Sequence, residues 1–540
     1  MKKTLSLALF LFAAFSLFAQ EFAEDNYGPA EAEQEYIYYG GEFERLEDYF
    51  PPLLAEQQAI DDDRIYVIVA FDLDISGRTR PSALMRNAGF NVGEQLRGRA
   101  GLDAYISDRT QVLRNMRTLR DNPEIGYSLG ERREDGTYPV TIRVRVEDSL
   151  NVIAFPVPSY HSHRGFELDV RARDYNFLGM MQPLRIDFGY SRDLDGRSEF
   201  GVMLDASIPF TAWGRNWDFR FENFFNYRPG AEEPFFFRNV TGLSVHLPFR
   251  STTFTVGFSQ SFIVNEENPS RHHGYGQFQS GMYMATRVFT SWSIPTGITT
   301  ANFGGLTYTL SPSVTFNYGL PTWPLHPFRR GPFAAFTHSL SLGRVNWHGN
   351  FRRGMSFWLS NSYRYDFSRY DFSRDAGELV PITLSLGWTG HFIVNRFLGV
   401  SARLESRRWF SLSGRPHYHG DAGDALRGIR DSDISADYML SLNLNFPFRV
   451  LNFAPSRWFN SSRFRLFDFE LHVSPMVDIA LFDDPRYGRD VAAAGGIELM
   501  VFPGIVRALY LRLSVGGDAL RFLESREIAT EITLTLGHFF

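Results

Sequence analysis

Few residues in this 540-residue chain have the type and spacing that catalysis requires. His272-His273 and His417-Tyr-His419 bring imidazoles close enough to share a metal ion. Both groups sit in Gly/Pro/Ser-rich segments, where a solvated loop histidine is the commoner case, and no metal site is assigned. Acid pairs such as Asp483-Asp484 fall where turns are expected, and solvated charge accounts for them. There is no Gly-rich phosphate loop, no Gly-x-Ser-x-Gly elbow and no His-Glu-x-x-His helix. Cysteine is absent, which excludes disulfides, thiolate metal sites, cysteine nucleophiles and N-terminal cysteine lipidation. With 55 basic and 61 acidic side chains, a net charge of -6 and no basic run, nothing points to nucleic acid. The expectation is a protein that is not an enzyme and uses no cofactor.

Two ionisable residues are better placed. Arg427 stands in Asp424-Ala-Leu-Arg-Gly-Ile-Arg430, a Gly-flanked run inside a polar loop, which read alone is a turn with a solvated charge. Asp478 stands in a segment, 467 to 482, whose residues alternate: Phe467, Phe469, Leu471, Val473, Val477, Ile479 and Leu481 on one face, Asp468, Glu470, His472, Ser474 and Asp478 on the other. If such strands close into a barrel, the polar face lines the lumen and Asp478 points into it.

The elements that would position these residues follow from pattern. Lys2-Lys3 and the apolar run Leu5 to Ala19 fit a secretory signal over residues 1–19, with cleavage expected after Ala19. No later stretch reaches the roughly 20 apolar residues of a spanning helix. Residues 20–63 are acidic and tyrosine-rich and read as a linker, with a short helix over Glu42 to Leu54 as the sharper alternative. Residues 64–150 give strand, helix, helix, strand, strand, an α+β unit. Its first strand should bury Ile65, Val67, Val69, Phe71, Leu73 and Ile75 on one face. Thr79 should cap a helix that opens at Pro81, and a second helix should begin near Ser107 and present Val112, Met116 and Leu119.

Residues 151–540 are repeated period-two strands. Trp217, Phe219 and Phe221 alternate with Asp218, Arg220 and Glu222, and the last strand sets Ile528, Ile532, Leu534, Leu536 and Phe540 on one face. Aromatics make up 16% of the chain, with 52 phenylalanines, which suits a barrel with interfacial girdles. Segment counting gives 16 to 18 strands. The fold expected is mainly β: a C-terminal transmembrane antiparallel barrel preceded by the small α+β unit.

Several stretches resemble the BamA/TamA-type outer-membrane assembly and secretion superfamily. Leu426-Arg427-Gly428-Ile429 resembles its Val-Arg-Gly-Phe/Tyr loop motif, with Ile429 in place of the aromatic. Val477-Asp478-Ile479-Ala480 resembles its Phe-x-Asp-x-Gly strand motif, and Asn176-Phe-Leu-Gly179 its early barrel turn. The α+β unit, from Ile75-Ser-Gly-Arg-Thr79 to Arg143-Val-Arg-Val-Glu147, resembles a single polypeptide-transport-associated (POTRA) domain. The resemblance implies about sixteen strands, a pairing of Arg427 with Asp478 inside the lumen, a sorting signal at Phe540 and, for Glu42 to Leu54, a pore plug. It also implies an outer-membrane location with the POTRA domain in the periplasm. The partners implied are outer-membrane lipid, unfolded client polypeptides taken at a strand edge and accessory assembly subunits.

One feature belongs to the chain itself. Pro156 and Pro158 lie two apart in Val152 to Tyr160 and remove two donors from one edge of that segment. Either they sit in a linker before the barrel, or they weaken the closing seam against the last strand, where Gly537 loosens it further, and the seam opens laterally to clients. The function expected is insertion or translocation of polypeptides at the outer membrane. The rivals are a two-partner-type secretion pore for one exported protein, a passive porin or structural surface antigen and, formally, a lipid hydrolase built from dispersed Ser, His and Asn.

Overall fold

The structure is a computed structural model that describes residues 36–39, 42–45, 64–161, 165–192, 196–267, 278–300, 304–319, 332–367, 381–411, 426, 427, 429, 436–483, 490–507, 509–525 and 530–538. In the N-terminal 61 residues it describes only two short strands, Tyr36–Tyr39 and Glu42–Arg45, paired antiparallel. Glu42–Arg45 is therefore extended where a helix was the alternative, as its alternating Glu-Phe-Glu-Arg favours. The signal segment, His272-His273, His417 to His419, Asp484 and Phe540 lie outside the described residues.

The α+β unit runs β1 (Ile65–Ser76), α1 (Pro81–Ala88), β2 (Gln95–Arg97), α2 (Gly98–Asn115), β3 (Glu124–Leu129) and β4 (Tyr138–Glu147). The sheet order is β2-β1-β4-β3, with β1 and β4 parallel. Val140, Ile142, Val144 and Val146 of β4 are buried against Leu84, Leu102 and Leu113. Three expectations are corrected. A register shift between Ile68 and Ala70 turns β1 over, so Tyr66 and Ile68 enter the core first and Phe71, Leu73 and Ile75 after it. Residue Arg80, not Thr79, occupies the cap position of α1, because both the amide and the hydroxyl of Thr79 donate to Asp148. The second helix starts nine residues before Ser107, at Gly98, and buries Leu102, Tyr105 and Leu113; Val112 is only half-buried, while Met116 and Leu119 pack in the core from just past the helix end.

From Val152 to His538 the strands form one closed antiparallel barrel whose last strand lies beside its first. Tyr438–Asn445 and Phe448–Phe453 both pair with Phe469–Phe482 and are two halves of one strand, interrupted at Phe446-Pro447. Counting them once, the described residues of the barrel form eighteen strands. That number lies within the range read from the segments, and the sixteen of the resemblance is two short. Among the described residues no helix is long and apolar enough to cross a membrane.

Candidate functional site

Phe469–Phe482 sets the geometry of the lumen. Val477 and Ile479 face outward, while His472, Ser474, Met476, Asp478 and Ala480 are buried inside. Proline at 475 costs this strand one donor, and the alternation continues through it. Pairing with Val491–Pro503 brings a second carboxylate, Glu498, to the same inner wall.

Arg427 reaches both acids from the loop after Gly399–Ser411. Its Nε donates to Asp478 Oδ2 at 2.9 Å, its backbone amide donates to the same oxygen at 2.8 Å, and Nη2 donates to Oδ1. Its Nη1 donates to Asn445 Oδ1 at 2.6 Å and to Glu498 Oε1 at 3.0 Å. Ser514 Oγ donates to Glu498 as well, and Arg512 lies 3.6 Å from it. Both carboxylates are only 1% exposed, against 23% for the arginine side chain. The planar guanidinium is thus oriented by one bidentate carboxylate and held by a second acid and an amide. Leu426 and Ile429, on either side, are buried with Trp409, Met439, Ala480 and Phe482. Ile429 therefore packs where the resemblance puts an aromatic, and Ala480 stands buried at the usual glycine; Gly428 lies outside the described residues.

The first strand, Val152–His161, contains both prolines and pairs with Gly165–Asp174: Pro156 opposite Val170, Pro158 opposite Leu168. The linker alternative for these residues is thereby corrected. Their direction follows from one bond. The Tyr175 amide donates to the Asn151 carbonyl at 2.8 Å, which makes 151 and 175 a hydrogen-bonded pair. Counting by two along an unbroken register, 153, 155 and 157 direct their backbone groups to the second strand. Residues 152, 154, 156 and 158 direct theirs to the other neighbour, the last strand, Thr530–His538. Two donors are missing from the closing edge. Below the prolines, Val157 packs on Val506, with Ile153, Phe155 and Leu511 around them. Gly537 lies opposite Tyr510 in the last strand.

The α+β unit is fastened to the barrel end it enters, the base. Asn176 is fully buried and donates to Thr79 Oγ1 at 2.7 Å and Asp148 Oδ2 at 3.1 Å, so the 75–79 and 176–179 motifs, 97 residues apart at this contact, meet. Gly179, at φ +73°, lies under Arg78; a Cβ there would stand 2.1 Å from the Arg78 carbonyl oxygen. Gly179→Ala should therefore lower the stability of this junction by about 1–3 kcal/mol, read as a lower Tm and faster amide exchange at 78–80.

Sequence reasoning missed Arg117, Glu498 and Asn445. Glu498 had a signal, a lone acid at an inward position among Ile497, Leu499 and Val501. Arg117 had none, because its partners are remote. It is buried and donates to Arg507 O at 2.7 Å, Gly349 O at 2.9 Å and Asn350 Oδ1 at 2.8 Å, and it stacks over Trp347. Burial first, then the Arg507 charge, pulls its ionisation down to about 9, which leaves it a cation at neutral pH. Arg117→Lys keeps the charge and loses the fork. It should weaken docking of the unit by about 1–3 kcal/mol, seen as faster amide exchange at 346–350 and 504–507.

Among the described residues no cluster of His, Asp and Glu is arranged to hold a metal. No family model and no curated protein matches the sequence. Among solved structures the chain is similar to BamA from Haemophilus ducreyi lacking POTRA domains 1–3, at 13% identity and TM-score 0.39, over 87% of this chain and 85% of that one. It is similar to CdiB from Acinetobacter baumannii, at 10% identity and TM-score 0.45, over 87% and 74%. CdiB from Escherichia coli is matched at 11% identity and TM-score 0.39, over 91% and 94%.

Proposed function

We propose that this chain is an outer-membrane barrel of the BamA/TamA-like superfamily that inserts or translocates polypeptides, with the α+β unit as its periplasmic POTRA domain. The observation that carries the reading is the closing edge of the first strand, from which Pro156 and Pro158 remove two donors. An edge short of donors is the place where a client strand can pair with the barrel in exchange for the barrel's own last strand. Arg427, Asp478 and Glu498 keep the wall a few strands before the seam rigid while the seam opens. The free energy comes from client pairing, without a nucleotide, a metal or a catalytic group. Clients are unfolded chains, and accessory assembly subunits would dock on the POTRA domain.

Depletion of the protein, followed by proteomics of the outer membrane and the medium, tests this. Loss of many barrel proteins supports insertion, and loss of one exported chain supports a dedicated secretion pore. If neither changes, the polypeptide reading fails and a porin or structural antigen takes its place.

A further inference from the structure

At the base of the barrel, neighbouring strands are joined by short turns such as Trp213-Gly214, Arg250-Ser251 and Gly349-Asn350. The connection from Phe453 to Phe469 is much longer and contains a short helix, Pro455–Trp458, and a 3₁₀ segment, Ser462–Phe467. It is a built element. The Ser456 amide donates to Asp468 Oδ1 at 3.0 Å and its hydroxyl to Oδ2, which clasps the two ends together. Amides of 457, 458, 459, 461 and 464 find carbonyls within the loop, and the Gly504 amide donates to the Asp468 carbonyl at 2.7 Å.

This element turns its apolar side chains outward. Trp458 is 62% exposed and Phe459 65%, and Phe464 and Phe467 are exposed with them. They continue a surface already assigned. Phe453 and Phe469 are cross-strand partners whose rings lie 5.3 Å apart, and Phe469 shares the outward face of its strand with Val477 and Ile479. Trp458 meets Phe453 edge-on at 5.0 Å, and Phe459 lies tilted against Phe464 at 5.0 Å. Phe448, Val450 and Leu451 extend the same outer band. Exposed Arg457 and Arg463 alternate with the rings.

We infer that the 454–468 loop is an interfacial anchor lying in the leaflet on the POTRA side, its aromatics among the upper acyl chains and its two arginines on phospholipid headgroups. An amphipathic indole, apolar phenyl rings and cations beside them, on a backbone whose amides are largely satisfied internally, are what that boundary layer selects. The inference rests on the membrane-barrel reading above, which fixes what surrounds the outer face. Through Asp468 and Gly504 the anchor is tied to the turn whose Ile505 carbonyl accepts from the Leu150 amide, where the α+β unit enters. The anchor thereby sets the height of that unit above the bilayer.

Because the chain has no cysteine, single-site labelling tests this directly. The full chain carrying Phe459→Cys, Val477→Cys or Glu131→Cys is labelled with an environment-sensitive fluorophore in phosphatidylethanolamine/phosphatidylglycerol vesicles containing shallow- or deep-brominated chains. The expected result is quenching at 459 by shallow bromines at least about threefold that at 131, with 477 quenched by deep bromines. Quenching at 477 but not at 459, with 459 open to aqueous iodide or shielded by a bound protein, overturns the anchor and leaves the barrel reading standing. No quenching at 477 removes the barrel reading and the anchor together.

Discussion

Arg427→Ala should destabilise the barrel by about 3–5 kcal/mol, because it leaves two carboxylates, each 1% exposed, facing one another without their shared cation. Asp478→Asn should cost less, about 1–3 kcal/mol, since Arg427 keeps Glu498 at 3.0 Å and Asn445 at 2.6 Å. The double variant Arg427→Ala/Asp478→Asn should be more stable than Arg427→Ala alone, because it removes the Asp478 charge, while Glu498 keeps Arg512 at 3.6 Å and the Ser514 hydroxyl. Thermal unfolding in detergent, followed by circular dichroism, reads these differences. A single arginine variant as stable as the native chain, or strict additivity in the cycle, would show that the loop is only laid against the wall.

Restoring the seam is the second large effect. Pro156→Val with Pro158→Ile returns two donors to the closing edge, adding about 1–3 kcal/mol if each bond contributes an ordinary 0.5–1.5 kcal/mol. Opening of the seam should fall roughly 5- to 150-fold. Assembly or export of clients should fall with it, while the barrel itself becomes more heat-resistant. Each single substitution should give about half the change in free energy. A double variant that is more stable and fully active would separate the seam from the work.

Much of this was legible in the residues. The alternation from 467 to 482 was enough to turn Asp478 inward, and the sequence placed the loop motif before the strands that receive it. Other features depend on contacts that no local pattern encodes. The turning-over of β1 comes from a shift at Ile68–Ala70 that leaves no Gly or Pro mark. Segment counting reached the eighteen strands at the top of its range, whereas the sixteen of the resemblance falls two short; the middle of the chain holds very long strands, Phe278–Thr300 among them, whose number no local motif marks. Arg117 reads as one more polar residue after a helix; its acceptors lie 232, 233 and 390 residues further along. The fate of Thr79 was hidden for the same reason, since Asp148 outcompetes the helix for its hydroxyl from across the unit.

Amide hydrogen exchange of the native chain in lipid, followed by peptide, tests the central claim most directly. Segments 152–160 and 530–538 should exchange markedly faster than the paired strands 469–482 and 491–503, and the Pro156→Val/Pro158→Ile variant should narrow that gap. Equal, strong protection of the seam and of the Asp478 wall would contradict a seam that opens to clients.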